Sequence, residues 1–205
     1  MPDEKDLAAI VLSAGYSSRM DAFKPLLPLG RSTVIETVMS TFLQAGISDI
    51  TVVLGYRADD LKPVLDRSHV RWIFNERYDE GMYSSVVSGV SGLYSARADV
   101  KGVYLLPVDM PLINSLTIKK ITMAYSRSKS HIFYPTYLKQ RGHPPLIPSD
   151  LFREILEWKG TGGMRAFLKL HEVRASEVEV QDMGILMDID TPEDYSEICR
   201  VYEQR

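Results

Sequence analysis

One cysteine, Cys199, cannot form an internal disulfide, and its solitude excludes a metal site built from a cysteine cluster. Its surroundings, Tyr195-Ser196-Glu197-Ile198-Cys199, read as helix and give it a packing role, and a chain without disulfides suits a reducing, cytoplasmic compartment. No apolar stretch approaches the ~20 residues of a membrane helix. The first six residues, Met1-Pro2-Asp3-Glu4-Lys5-Asp6, are charged, and the apolar run behind them is too short for a signal peptide. Positive charge is not in excess: 24 Lys and Arg face 27 Asp and Glu, for a formal net charge of -3. That balance argues against a nucleic-acid binder with a basic stripe, while leaving room for a local phosphate pocket. Two common phosphate signatures are missing as well. There is no G-x-x-x-x-G-K-[ST] loop, and of a G-x-G-x-x-G fingerprint only Gly15 is present. Repeats, low-complexity tracts and linkers are absent, so 1–205 reads as one domain.

What the chain does have is alternation. Leu7-Ala8-Ala9-Ile10-Val11-Leu12 is a short apolar run that predicts a buried strand, and a long loop follows from Gly15 to about Gly30. Val34, Val38, Phe42 and Leu43 share a helical face over 33–45, with Gly46 as the stop. Strands are expected at 50–54, 70–74, 103–108 and 131–135, and helices at 58–65, 84–95 and 116–125. Beyond Pro135 the order blurs. The stretch 142–148 holds three prolines and predicts a loop or edge strand. Short helices are expected at 150–158 and 163–170, strands at 173–180 and 185–189, and a final helix at 192–203 with Pro192 at its start. Strand and helix alternating over the first 125 residues predict a mostly parallel sheet with helices on both faces, made mixed by an inserted edge region.

Three places carry chemistry. The first is Leu12-Ser13-Ala14-Gly15-Tyr16-Ser17-Ser18-Arg19-Met20, followed by Lys24-Pro25-Leu26-Leu27-Pro28. Small residues after a strand free backbone N–H groups to approach phosphate oxygens. Arg19 can grip two oxygens and Lys24 supplies a compact charge. Spacing alone leaves a solvated loop with two scattered cations equally open. The second is Asp109, directly after a strand and placed either to hold Mg²⁺ or to cap a turn. The third is Asp182-Met183-Gly184-Ile185-Leu186-Met187-Asp188-Ile189-Asp190-Thr191-Pro192-Glu193-Asp194. There a second carboxylate can complete a magnesium site, while Asp190 or Thr191 can also cap the helix at Pro192. Gly81-Met82-Tyr83-Ser84-Ser85 opens a helix, with Ser84 as a plain cap or the positive end of the helix offered to an anion. His143, in Gly142-His143-Pro144-Pro145, is as compatible with a structural role as with a catalytic one. Gly160-Thr161-Gly162-Gly163 reads as a simple turn or as a second loop near the same mouth.

Residues 12–28 resemble the signature of the MobA-like nucleotidyltransferases, L-x-[AG]-G-x-S-x-R-M-G…K-x-L-L-P. Ala14, Phe23 before Lys24, and Pro25-Leu26-Leu27-Pro28 after it are most similar to the cytidylyl-transferring branch, the molybdenum cofactor cytidylyltransferases (MocA-like). The chain departs from the pattern at Asp21, where the family has Gly, and at Ser13, where Ala is common. The segments 81–89, 109–112, 142–144 and 188–194 resemble further motifs of the same family. The resemblance implies a three-layer Rossmann-like nucleotidyltransferase (GT-A-like) fold. It implies CMP transfer from CTP to a phosphorylated acceptor, molybdopterin in that branch, with Mg²⁺ as cofactor and pyrophosphate released. It assigns the nucleotide to Leu12, Ser13, Ala14, Gly15, Ser17, Ser18, Arg19, Lys24, Gly81, Ser85 and Asp109, with Arg19 and Lys24 catalytic. Asp109 and Asp190 become the metal ligands, with Asp188 the alternative to Asp190, and His143 faces the acceptor. A molybdoenzyme or maturation factor is the implied protein partner. A sugar or alditol phosphate as acceptor, or a carrier of nucleotide or cofactor without transfer, are the other readings.

Overall fold

The uninterrupted apolar run becomes strand β1 (Leu7–Ser13), every residue of which is buried in the computed structural model, which describes residues 4–16, 20 and 22–204. A strand buried on both faces needs cover on both, and its alternating side chains divide the interior in two. Leu7, Ala9 and Val11 join one apolar cluster, whereas Ala8, Ile10 and Leu12 join the other. Along the chain follow β2 (Pro28–Leu29), β3 (Ser32–Thr33), α1 (Val34–Gln44), β4 (Ile50–Leu54), α2 (Ala58–Arg67), β5 (Arg71–Phe74), α3 (Met82–Ala96) and β6 (Gly102–Pro107). Then come α4 (Ser115–Tyr125), β7 (Ile132–Tyr137), β8 (Gln140–Arg141), β9 (Leu146–Pro148), α5 (Phe152–Glu157), α6 (Gly163–Leu170), β10 (Ala175–Glu179) and α7 (Pro192–Glu203). Helices α1, α2, α4 and α7 cover the first face, through Val38, Leu61, Ile118 and Ile198 among others. Helices α3, α5 and α6 cover the second, through Val90, Ile155 and Phe167. No helix among the described residues is long and apolar enough to cross a membrane.

Local signals set the starts of two helices on the first face. Thr33 Oγ1 accepts from Glu36 N at 3.4 Å while the Glu36 carboxylate accepts from Thr33 N at 2.8 Å, a reciprocal capping box that starts α1. Thr191 and Asp194 build the same box at α7, where Pro192 occupies the first turn and loses no needed hydrogen bond. Cys199, on α7, packs partly buried against the first cluster, as the surrounding helix predicts.

The main sheet runs β10-β7-β9-β6-β1-β4-β5, with β8 added to β7, while β2 and β3 form a separate ribbon. Strands β6, β1, β4 and β5 are parallel neighbours, and β10 lies parallel to β7. The mixed element is β9, antiparallel to both β6 and β7. Here the structure corrects part of the sequence expectation for 142–148: 142–145 is a loop, but Leu146–Pro148 is a buried interior strand and not an edge. Prolines are tolerated because they sit at the ends of the pairing: Pro145 precedes the strand, Pro148 is its last residue, opposite Gly102, and Pro145 O still accepts from Leu105 N at 3.1 Å. The expected strand at 185–189 is also corrected. Residues Met183–Leu186 form a 3₁₀ turn, because the Asp182 carboxylate caps it and takes the Gly184 N–H. Gly184 is required there, since a Cβ would collide with the Leu112 carbonyl.

Candidate active site

Strand β1 has β4 on one side and β6 on the other, so the chain switches its direction of travel across the sheet between β1 and β6. Open α/β sheets bind ligands beyond the carboxyl ends of their strands at such a point. A cavity of about 780 Å³ lies there. It is lined by Leu12, Ser13, Ala14 and Gly15 after β1 and by Pro107, Val108 and Asp109 after β6. Gly81, Met82 and Ser85 bring the start of α3 to the same cavity, and no side chain caps that helix. The expected Ser84 cap is corrected: its hydroxyl engages the Arg77 and Gly81 carbonyls instead. Ser85 Oγ accepts from Asn75 Nδ2 at 3.1 Å, which leaves the serine's own hydrogen to donate.

Lys24 is the hub. Buried Phe23 anchors the preceding turn, and only 8% of Lys24 is exposed. Its Nζ donates to Asp190 Oδ1 at 2.9 Å and lies 3.6 Å from Asp109 Oδ2. Two carboxylates that are 81 residues apart in sequence thus meet on one cation. Thr191, not Asp190, caps α7, so the Asp190 carboxylate is available to Lys24. Burial pushes the Asp109 carboxyl above its ordinary value; Lys24 opposes the shift, and the negative charges of Asp188 and Asp190 add to it. Asp188 lines the cavity beside them.

Backbone contacts draw the distant segments together. Ile189 N donates to Asp109 O at 2.9 Å, and His143 N donates to Ile185 O at 3.0 Å. Gly142 packs so closely on Ile185 that a Cβ would strike its carbonyl. Asp182, 5% exposed, accepts from Asn114 N at 2.8 Å and Thr117 Oγ1 at 2.7 Å, which pins the acidic segment to α4. His143 lines the cavity too. Burial lowers its imidazole pKa, against the opposing effects of a hydrogen bond with the Leu105 backbone and the charge of Asp188, so the ring is neutral near pH 7.

Of the residues the sequence singles out, Leu12, Ser13, Ala14, Gly15, Lys24, Gly81, Ser85, Asp109, His143, Asp188 and Asp190 all line this cavity. Ser17, Ser18, Arg19 and Asp21 lie outside the described residues. The loop 160–163 is not part of the lining; Gly160 packs on the Trp158 ring instead, and Trp158 belongs to the α3 side of the sheet. Tyr16, Tyr78, Asp79, Gln140 and Arg141 also line the cavity and were missed. For Tyr78 and Asp79 a signal existed, since the loop after a parallel strand, here β5, opens at the same end of the sheet.

A cation held between carboxylates beside an open helix start is what a chain of phosphates and its counter-charge require, and on a sheet covered on both faces it places the protein among nucleotide-handling α/β folds. Residues 9–178 match the MobA-like NTP transferase domain, and the chain belongs to that family of nucleotidyltransferases. Molybdenum cofactor cytidylyltransferase of Escherichia coli (strain K12) is 29% identical to it over 187 residues, 91% of this chain and 92% of that protein. Nicotine blue oxidoreductase of Paenarthrobacter nicotinovorans is 26% identical over 196 residues, 91% and 93% of the two chains. Among solved structures, a Methanothermobacter nucleotidyl transferase superimposes with a TM-score of 0.82 at 25% identity, over 97% of this chain and 98% of that one. The fold is Rossmann-like, with the mostly parallel mixed sheet that the sequence predicts.

Proposed function

We propose that this protein transfers CMP from CTP to a phosphorylated acceptor of the molybdopterin type in the cytoplasm, releasing pyrophosphate. The observation that carries the reading is Lys24 seated between Asp109 and Asp190 at the switch-point cavity. The choice of CTP and of a pterin acceptor is supported by the likeness to the Escherichia coli cytidylyltransferase and by Ala14, Phe23 and Pro25 around the loop.

In this reaction an oxygen of the acceptor phosphate forms a bond to the α-phosphorus, and the bond from that phosphorus to the bridging oxygen breaks. A phosphate nucleophile is already ionised near neutral pH, so no side chain need remove a proton. The protein's contribution is placement and neutralisation of charge. Lys24 holds the phosphates, the start of α3 offers N–H groups, and Ser85 donates to the nucleotide. His143, which lines the cavity together with Gln140 and Arg141, faces and orients the acceptor. The donor set suits Mg²⁺, which takes oxygen ligands and commonly uses only one or two carboxylates. Asp109 and Asp190 would hold it, and among the described residues no third His, Cys, Asp or Glu completes an all-protein cage. When bound it would offset negative charge on the phosphates.

Purified protein given CTP, Mg²⁺ and molybdopterin should release pyrophosphate. Lys24→Ala should lower kcat about 10²–10³-fold, as loss of a preorganised charge-stabilising group does. Full activity in that variant refutes the assignment. The same chemistry on a sugar or alditol phosphate is separated by an acceptor panel, because fold does not fix substrate.

A further inference from the structure

The pleat of β7 and its neighbours fixes an arginine at the lip of the cavity. Arg141 pairs with Thr136 across the β7–β8 hairpin, so its side chain rises on the same face as Tyr134, two residues back along β7. Glu177, opposite Tyr134 on β10, shares that face. The Arg141 guanidinium lies over the Tyr134 ring, 4.9 Å from its centre. Its Nε donates to Glu177 Oε1 at 2.7 Å, its Nη1 donates to Glu172 Oε2 at 3.0 Å, and its Nη2 lies 2.7 Å from Glu172 Oε1. Tyr134 is buried, whereas 35% of the Arg141 side chain is open. Tyr134, Glu172 and Glu177 are not part of the cavity lining, but Arg141 is. One flat face and the edges of the guanidinium are thus taken, and what it offers the cavity is its other flat face.

That corner suits a flat ring and not a phosphate. All three guanidinium nitrogens already meet carboxylate oxygens, so the bidentate grip by which arginine clamps a phosphate is in use. One cation between two carboxylates also leaves the corner net negative, which disfavours a further anion. A guanidinium face held still loses no further freedom when it stacks on a conjugated ring, as it already does on Tyr134. Lys24, at the charged centre with Asp109 and Asp190, remains for the phosphates.

We infer that Arg141 is a specificity-determining residue whose open face stacks on a planar conjugated ring of the acceptor, sandwiched against Tyr134, while the acceptor's phosphate reaches toward Lys24. The inference rests on the nucleotidyltransferase reading of the cavity and deepens it. It selects a flat heterocyclic phosphate as acceptor over a sugar or alditol phosphate, which has no conjugated face to present.

The test is fluorescence titration of the full chain with a pterin monophosphate, with ribitol 5-phosphate as competitor. CMP is present throughout, so that the nucleotide half is filled and no transfer can occur. Wild type should quench the pterin emission, as ring stacking does, and should bind the pterin phosphate more tightly than ribitol 5-phosphate. Arg141→Lys keeps the charge and a donor for the glutamates but loses the flat face. It should bind the pterin phosphate about three- to tenfold more weakly and lose most of the quench. Its affinity for CTP, read by calorimetry, and for ribitol 5-phosphate should stay at the wild-type value. Undiminished pterin binding and quench in Arg141→Lys overturn the inference. So does a loss that CTP and ribitol 5-phosphate share equally, which marks a structural role, or a wild type that favours ribitol 5-phosphate. Wild type that does not bind CTP defeats the reading of the cavity and Arg141 with it. Wild type that binds CTP but not the pterin phosphate defeats the Arg141 assignment alone.

Discussion

Single side chains in this site serve charge at the expense of fold stability, and Asp109 shows it plainly. Its carboxyl is buried enough to sit above the ordinary value even with Lys24 3.6 Å away. The ionised form is therefore unfavourable to the folded state, and the stability that protonation supplies is lost as pH rises through the folded value. Asp109→Asn removes that partly buried charge and leaves Lys24 its bond to Asp190. The expected outcome is a melting temperature near pH 7 equal to or above that of wild type, with pyrophosphate release down by two orders of magnitude or more. A melting temperature several degrees lower would show that the carboxylate is structural. At the same scale, Ser13 and His143 keep unpaired polar atoms in the cavity wall while Asp182, just as buried, is satisfied three times over.

Secondary-structure elements contribute by holding their ends still. The capping box of α1 depends on an ionised Glu36, whose carboxyl lies below its ordinary value chiefly through the hydrogen bond from the Thr33 hydroxyl and next through the Thr33 N–H. A lowered folded value means stability that is present above the unfolded Glu value, about 4.3, and is lost as pH falls through the folded one. Glu36→Ala should melt about 1–3 °C below wild type near pH 7, and the gap should close as pH falls below about 4, as read from melting temperature against pH. The 3₁₀ turn at Met183–Leu186 acts differently, through close packing. Gly184→Ala must push a Cβ into the Leu112 carbonyl and should cost about 1–3 kcal/mol or more in chemical denaturation. It should also weaken CTP binding, since the turn carries Asp188 and Asp190 to Lys24. Denaturation indistinguishable from wild type would show that the backbone yields there.

For the whole molecule, the decisive event is the meeting of residues 24, 109 and 190 at the switch between β1 and β6. Much of what leads there was readable in order along the chain. Apolar runs predict β1, β4 and β6, helical spacing predicts α1, α3 and α4, and Thr191-Pro192 predicts the start of α7, because period, caps and breakers act within a few residues. Recurrent motifs likewise marked Lys24, Asp109 and Asp190 as candidates. Elsewhere local rules failed. Three prolines argued β9 to an edge, yet it pairs with β6 through Leu146, Ile147 and Pro148 and with β7 through Leu146. The apolar look of 185–189 suggested a strand, yet Asp182 and the Leu112 carbonyl impose a turn. Gln140 and Arg141 entered the cavity with no signal to announce them. Sequence alone determined most kinds of element, their order and the chemistry available, since those depend on near neighbours. Tertiary structure alone decided which carboxylate faces the lysine, which hydroxyl stays unpaired and where the inserted strand lies, since burial and charge pairing are set by residues far apart in the chain.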